Sequence, residues 1–274
     1  MKKSIFRQTP QIKLYFMVLI GLTLFSCEPE ALNSKEDIQV FDLNTEKAGK
    51  AKELNEFYGP SQPMGKGIVR SFVSINKNGV PVSVGIVFSE KILENLPEEE
   101  TNITLKLHKK AENLIVDHID FGFNPQGHPG QVFMVEHFDI HFYWISPEEK
   151  AEIPFLIGLG DLPPSTMWPD AYAYDVATIP QMGRHWILES QNNSTEFNQT
   201  FVYGSWDFKF TFYEPMITVE YLKEKEFEDS YNITPLGEYL DAGYYADSYK
   251  IQYDHIKKQY RVLLTDLFMA GGAL

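Results

Sequence analysis

A strict two-residue alternation over 137–145, His-Phe-Asp-Ile-His-Phe-Tyr-Trp-Ile, constrains this chain more than any other stretch. Successive side chains of a β-strand point to opposite faces. His137, Asp139, His141 and Tyr143 therefore share one face, and Phe138, Ile140, Phe142 and Trp144 the other. The segment reads as a strand whose apolar side turns to a core and whose polar side is rich in groups that can ligate a metal.

Strand signals dominate the rest of the chain. Residues 68–75 and 80–88 are β-rich runs flanking Asn76-Lys77-Asn78-Gly79, where the Asn-Gly pair offers the positive backbone angles of a tight hairpin. Further strands are expected over 103–108, 114–123, 132–145, 184–188, 197–203, 208–213 and 260–266, with short helices over 90–96, 147–155 and 218–227. Many short strands with few helices predict a mainly β domain, an antiparallel sandwich or barrel-like fold with small peripheral helices. Residues 59–274 contain no internal repeat or second linker and read as one domain.

The first 26 residues read as a signal peptide rather than as part of the fold. Lys2, Lys3, Arg7 and Lys13 form a basic leader, and 14–25 is an apolar run too short to span a bilayer comfortably. Leu24-Phe25-Ser26-Cys27 follows and resembles the lipobox of bacterial lipoproteins, although Phe25 is bulkier than the small residue often found there. The resemblance implies that Cys27 becomes the first mature residue and carries a lipid. That would anchor the protein to a membrane of the cell envelope, at the outer membrane or surface of a Gram-negative bacterium. The alternative is an ordinary secretory signal with an incidental cysteine. Cys27 is the only cysteine, so the chain has no intrachain disulfide, and any metal must be held by nitrogen and oxygen. Residues 27–58 are polar and acidic and read as a tether, with a helical tendency near 47–57 and little core.

Removing residues 1–26 takes four of the 24 basic residues and none of the 38 acidic ones, leaving a formal charge of −18. Phosphate backbones are bound by clustered Lys and Arg, so this balance argues against a nucleic-acid partner. The sequence leaves self-assembly into a homo-oligomer open.

Four segments together resemble a family of bacterial domains of unknown function, often lipoproteins. They are Asn124-Pro125-Gln126-Gly127-His128-Pro129, His137-Phe138-Asp139-Ile140-His141-Phe142-Tyr143, Met182-Gly183-Arg184-His185-Trp186 and Glu214-Pro215-Met216. The resemblance spans nearly the whole mature domain and implies a site shared by these positions. It supplies no reaction.

The residues themselves point to the chemistry of that site. Four of the seven histidines, His128, His137, His141 and His185, fall in these segments, and neutral imidazole is a common metal ligand. Together with Glu214 they form a candidate set for a divalent transition metal, Zn²⁺ foremost, with Mn²⁺, Fe²⁺, Ni²⁺ and Cu²⁺ also suited to nitrogen and oxygen donors. Residues i and i+4 on a regular strand lie about 13 Å apart, which strains a metal shared by His137 and His141. The expected core is therefore His141 with His185 and Glu214, with His137 or Asp139 as companion and His128 on an entrance loop or as the remaining ligand. Asp139 and Tyr143 are candidates for proton transfer, and Asp139 alternatively orients a ligand histidine. The blander possibilities are a solvated sheet face, a packed His185 and a capping Glu214. His108, His118 and His255 read as structural or exposed.

No Gly-x-Ser-x-Gly elbow, His-Glu-x-x-His helix or phosphate loop is present. The many aromatics read mainly as core, with a groove for a small molecule as the alternative. The irregular stretch 160–183 joins two suspected ligand segments and reads as a lid over the site. Two functions remain open on these grounds: a metal-dependent enzyme, or a binding or assembly lipoprotein with a structural metal or none.

Overall fold

The computed structural model describes residues 39–41, 54–128, 132–192, 194, 196–225 and 228–272. The signal segment, Cys27 and most of the tether lie outside the described residues. In chain order the strands are β1 (Gln39–Phe41), β2 (Leu54–Tyr58), β3 (Gln62–Met64), β4 (Gly67–Asn76), β5 (Pro81–Ser89), β6 (Thr101–Lys106), β7 (His118–Asn124) and β8 (His137–Tyr143). They continue with β9 (Leu156–Ile157), β10 (Tyr172–Tyr174), β11 (Ala177–Thr178), β12 (Arg184–Leu188), β13 (Gln199–Trp206), β14 (Lys209–Thr218), β15 (Glu228–Asn232), β16 (Gly243–Asp254) and β17 (Gln259–Ala270).

Two antiparallel sheets form a sandwich, and neither closes into a barrel. One runs β1-β2-β4-β5-β17-β16-β15 with β3 alongside β4, and the other runs β10-β12-β13-β14-β8-β7-β6. Their facing sides meet through aromatic rings. Phe88 of β5 lies 5.2 Å from Phe121 of β7 and 6.0 Å from Phe138 of β8, and Phe201 of β13 lies 5.1 Å from Tyr249 of β16. Each such ring, taken fully out of water, contributes about 1.5–3 kcal/mol, so the apolar side of the alternation drives the layers together. The β4–β5 hairpin forms as expected. Gly79 alone takes the positive angle (φ 79°), while the Asn76 side chain accepts from the Asn78 and Val80 amides.

Several elements depart from their sequence reading, among them the short strands β1, β3, β9, β10, β11 and β15, and three departures bear on the core and the site. Residues 54–58 are not helical tether but strand β2, paired with β4. The polar residues there suggested solvent, yet Glu56 is buried because Arg261 of β17 ion-pairs with it across the sheet. Strand β16 was not expected at all, since Tyr, Asp, Ser and Lys interrupt its alternation, yet Tyr245, Tyr249 and Ile251 enter the core. Strand β14 runs to Thr218, five residues beyond its expected end. Pro215 lacks an amide hydrogen and argues against a central strand, but β14 accommodates it by omitting rungs to β8. The β14–β8 ladder holds at Tyr213↔Phe142, skips Glu214 and Pro215, and resumes at Met216↔Asp139.

The helices are short, as expected, with Pro147–Ala151 and Val219–Glu224 and a 3-10 turn over Glu90–Glu94 in the expected places, while the helix Glu189–Asn192 and a 3-10 turn over Ser165–Met167 were not expected. Among the described residues no helix is long and apolar enough to cross a membrane.

Candidate metal centre

The polar side of β8 does not face water. Every residue of β7 and β8 is buried, so over these two strands the outer side of the sheet is covered as thoroughly as the inner side. The cover is made of connections. On one flank Ile153 and Met182 pack with Tyr143, Ile145, Phe212 and Trp206, and on the other Val132 and Phe133 pack with Phe197, Val202, Met216 and Ile187. Between these two apolar clusters runs a buried polar stripe.

At the centre of the stripe, His141, His185 and Glu214 each offer a ligand atom, all within 4.8 Å of one another. The β14–β8 register sets Glu214 level with His141, where the rungs are missing. His185 arrives from β12, across Gly204 of β13. A Cβ at Gly204 would lie 1.9 Å from the Phe212 ring, so only glycine lets that ring lie over β13 and pack edge-on against His141 (4.9 Å) and near His185 (5.7 Å). His141 Nε2 is 3.3 Å from Glu214 Oε1, and His185 Nε2 is 3.7 Å from Glu214 Oε2. Two donors 3.3 Å apart, each about 2.1 Å from one ion, subtend roughly 105° there, close to tetrahedral.

Electrostatics favour neutral ligands. Burial pushes His141 down to about 4 and His185 down to about 3, so both imidazoles keep a lone pair at neutral pH. Burial, reinforced by the Asp139 charge, holds Glu214 well above the ordinary carboxylate range. A divalent ion would displace its proton. Both ring nitrogens of His141 and Oε2 of Glu214 are buried with no hydrogen-bond partner, a costly state for polar atoms. His141 lacks the outer hydrogen bond that commonly orients a ligand imidazole. Stacking on Tyr143 (5.4 Å, 9°) fixes its plane instead.

The other candidates lie apart from this triad. His137 and Asp139 sit further along β8, and His128 reaches them from the loop after β7, its Nε2 2.8 Å from Asp139 Oδ2. Asn124 donates to the same oxygen at 2.6 Å. Burial would raise the Asp139 carboxyl, but the hydrogen bond to His128 and the nearness of the His128 and His137 imidazoles hold it well below its ordinary range. The sequence candidates thus fall into two groups of three rather than one. Tyr143 is committed elsewhere: its hydroxyl donates to the Gln181 carbonyl at 3.2 Å, and its ring lies between His118 and His141. Through Gln181 and Met182 the stretch 160–183 does close on Tyr143. Arg184 pins it, donating to the Gly158 carbonyl, the Asp175 carbonyl and Asp161.

Sequence reasoning missed the far end of the stripe. Asp120 accepts from Asn102 at 2.8 Å, Thr104 at 2.7 Å and the buried ammonium of Lys150. A capping box delivers Lys150: Ser146 accepts from the Glu149 amide, Glu149 accepts from the Ser146 amide, and Pro147 opens the helix. The signal for Asp120 and Asn124 was present, since His118-Ile-Asp-Phe-Gly-Phe-Asn alternates as 137–143 does.

Residues 76–123, under a fifth of the chain, match the family described as TTHB210-like, Hypothetical protein TTHB210. The match spans β5 to β7 and reaches none of the triad residues. No curated protein matches the chain. No solved structure matches it either.

Proposed function

We propose that this chain is a lipid-anchored protein of the bacterial cell envelope that binds a divalent transition metal through His141, His185 and Glu214. One observation carries the metal reading: three ligand atoms of the preferred type converge within 4.8 Å while the His141 nitrogens and one Glu214 oxygen lack hydrogen-bond partners. Buried polar atoms are nearly always paired, and one ion supplies the missing partner for a His141 nitrogen and for the Glu214 oxygen at once. The anchor rests on the basic leader, the apolar run and Cys27.

Three protein ligands leave a coordination position for water or a substrate oxygen, the arrangement of catalytic rather than closed structural centres. Access would come from the side of His185, whose side chain is 16% exposed against 3% or less for its two partners. Against turnover stands the depth of the centre. Two surface grooves, one beside Trp144 and Leu114 and the other around Lys66 and Lys258, are lined by no triad residue. A holding role, with the ion bound but not working on a substrate, is the reading this favours.

Elemental analysis of the full chain purified in detergent without chelator tests the proposal. At least about one equivalent of a transition metal is expected, lost in His141→Ala. Less than about a tenth of an equivalent, unchanged after mild loading, overturns it.

A further inference from the structure

We infer that the chain holds a second divalent cation, on His137 Nε2 and Asp139 Oδ1, with His128 closing the solvent side. The inference stands on residues separate from the triad and does not require it.

The protonation of His137 follows from its partner. His137 Nδ1 lies 2.6 Å from the Val135 carbonyl oxygen, which can only accept, so the hydrogen sits on Nδ1. A neutral ring then carries its lone pair on Nε2. Ligand histidines are commonly arranged in this way, with one nitrogen donating to a backbone carbonyl and the other turned to the ion. The Phe197 ring also stands edge-on to it at 5.3 Å.

Nε2 of His137 faces Asp139 Oδ1 at 3.1 Å, yet neither atom makes a hydrogen bond. His137 is fully buried and Asp139 only 2% exposed, so water does not reach the gap freely. Two lone pairs opposed at that distance repel unless a proton or a metal cation lies between them. Donors 3.1 Å apart and about 2.1 Å from a common ion subtend roughly 95°, within the range of octahedral to tetrahedral centres. Asp139 is poised for this division of labour. Its Oδ2 takes the hydrogen bonds of Asn124 and His128, which leaves Oδ1 for the ion.

His128 gives the site its opening. Its side chain is 35% exposed, and its ring stands edge-on to His137 at 4.8 Å. Its ligand atom lies within 4.8 Å of the other two, so it can exchange the hydrogen bond to Oδ2 for a place on the ion. The triad is an enclosed centre by comparison, and the two should differ in how fast they load. The competing state is a protonated His137 ion-paired with Asp139.

Zn²⁺ added to the full chain and counted by elemental analysis separates these states. The expected count is about two equivalents, falling to about one in Asp139→Asn and to about one in Glu214→Gln. An Asp139→Asn count equal to that of the unsubstituted chain overturns the second site and leaves the triad standing. A single equivalent that Asp139→Asn loses and Glu214→Gln keeps supports the second site and removes the triad. Should Asp139→Asn fail to fold, ring-nitrogen NMR of the unsubstituted chain decides. A neutral His137 with hydrogen on Nδ1, whose Nε2 signal moves on Zn²⁺ addition, supports the site. An imidazolium signature indifferent to Zn²⁺ overturns it.

Discussion

At the centre of the seven-stranded sheet, over β7 and β8, the two sides are buried alike and built from opposite chemistry. The inner side carries Phe121, Phe138, Ile140, Tyr213 and Trp186 against the facing sheet. The outer side carries Asp120, Asp139, His137, His141 and Glu214 under a cover of connecting segments. An apolar outer side would satisfy packing with less desolvation, because buried charges and unpaired polar atoms cost free energy that good geometry only partly returns. The difference teaches that the outer side is not arranged for stability. Its unpaired atoms read as a binding function retained at a cost.

The largest effect should separate the sides outright. Phe138→Ala removes a ring that packs on Phe88, Phe121 and Phe123, and chemical denaturation should show a loss of about 4 kcal/mol. Metal counts in the folded fraction should not change.

On the outer side, Lys150→Met leaves Asp120 with its Asn102 and Thr104 hydrogen bonds but without its buried cation. About 3 kcal/mol should be lost in the same measurement. A negligible change would mean that Asp120 does not depend on the ammonium, and the stripe would be less tightly built than its geometry implies.

Between pH 7 and pH 4 acid should destabilise the metal-free protein through the buried imidazoles of the outer side. His141 is held down to about 4 from an ordinary 6.5, so its folded value is depressed. A base of this kind contributes stability that is complete above about 6.5 and is lost as pH falls from there to about 4. His185 acts in the same direction down to about 3. Glu214, held protonated, has the opposite sign and offsets part of the loss. Urea midpoints across pH 4–7 with and without Zn²⁺ would show it, and a flat metal-free profile would break the reading of two neutral imidazoles.

The smallest effect sharpens the comparison most. His141→Phe with Glu214→Met makes the centre of the outer side resemble the inner one, and stability should hold within about 1 kcal/mol or rise. Metal uptake at the triad should vanish. A loss of several kcal/mol without uptake would show instead that the polar centre is structural.

Much of this contrast was legible in the sequence. Strict alternation over 137–143 assigns each side chain its face, and the 13 Å between i and i+4 on a strand already separates His137 from His141. The cover was not legible. Period-two patterns look the same whether the polar side meets water or a folded-over connection, and Val132, Phe133, Ile153 and Met182 reach the sheet only through tertiary packing. Glu56 was misread for a similar reason, since its counterion is 205 residues away. Pro215 misled in the other direction. Ending β14 at the proline is sound on local grounds, but the omitted rungs beside Glu214 are part of what sets the site.

Gly204 carries a consequence for anyone who re-engineers this centre. It touches no ion and offers no donor, yet adding a single methyl there would push Phe212 off β13 and let the rings of His141 and His185 swing. Libraries that randomise only the ligand positions would leave this lever untouched. Selecting for a different ion size would work best by varying the Gly204 and Phe212 pair together, tuning ligand angles while the coordinating atoms stay the same.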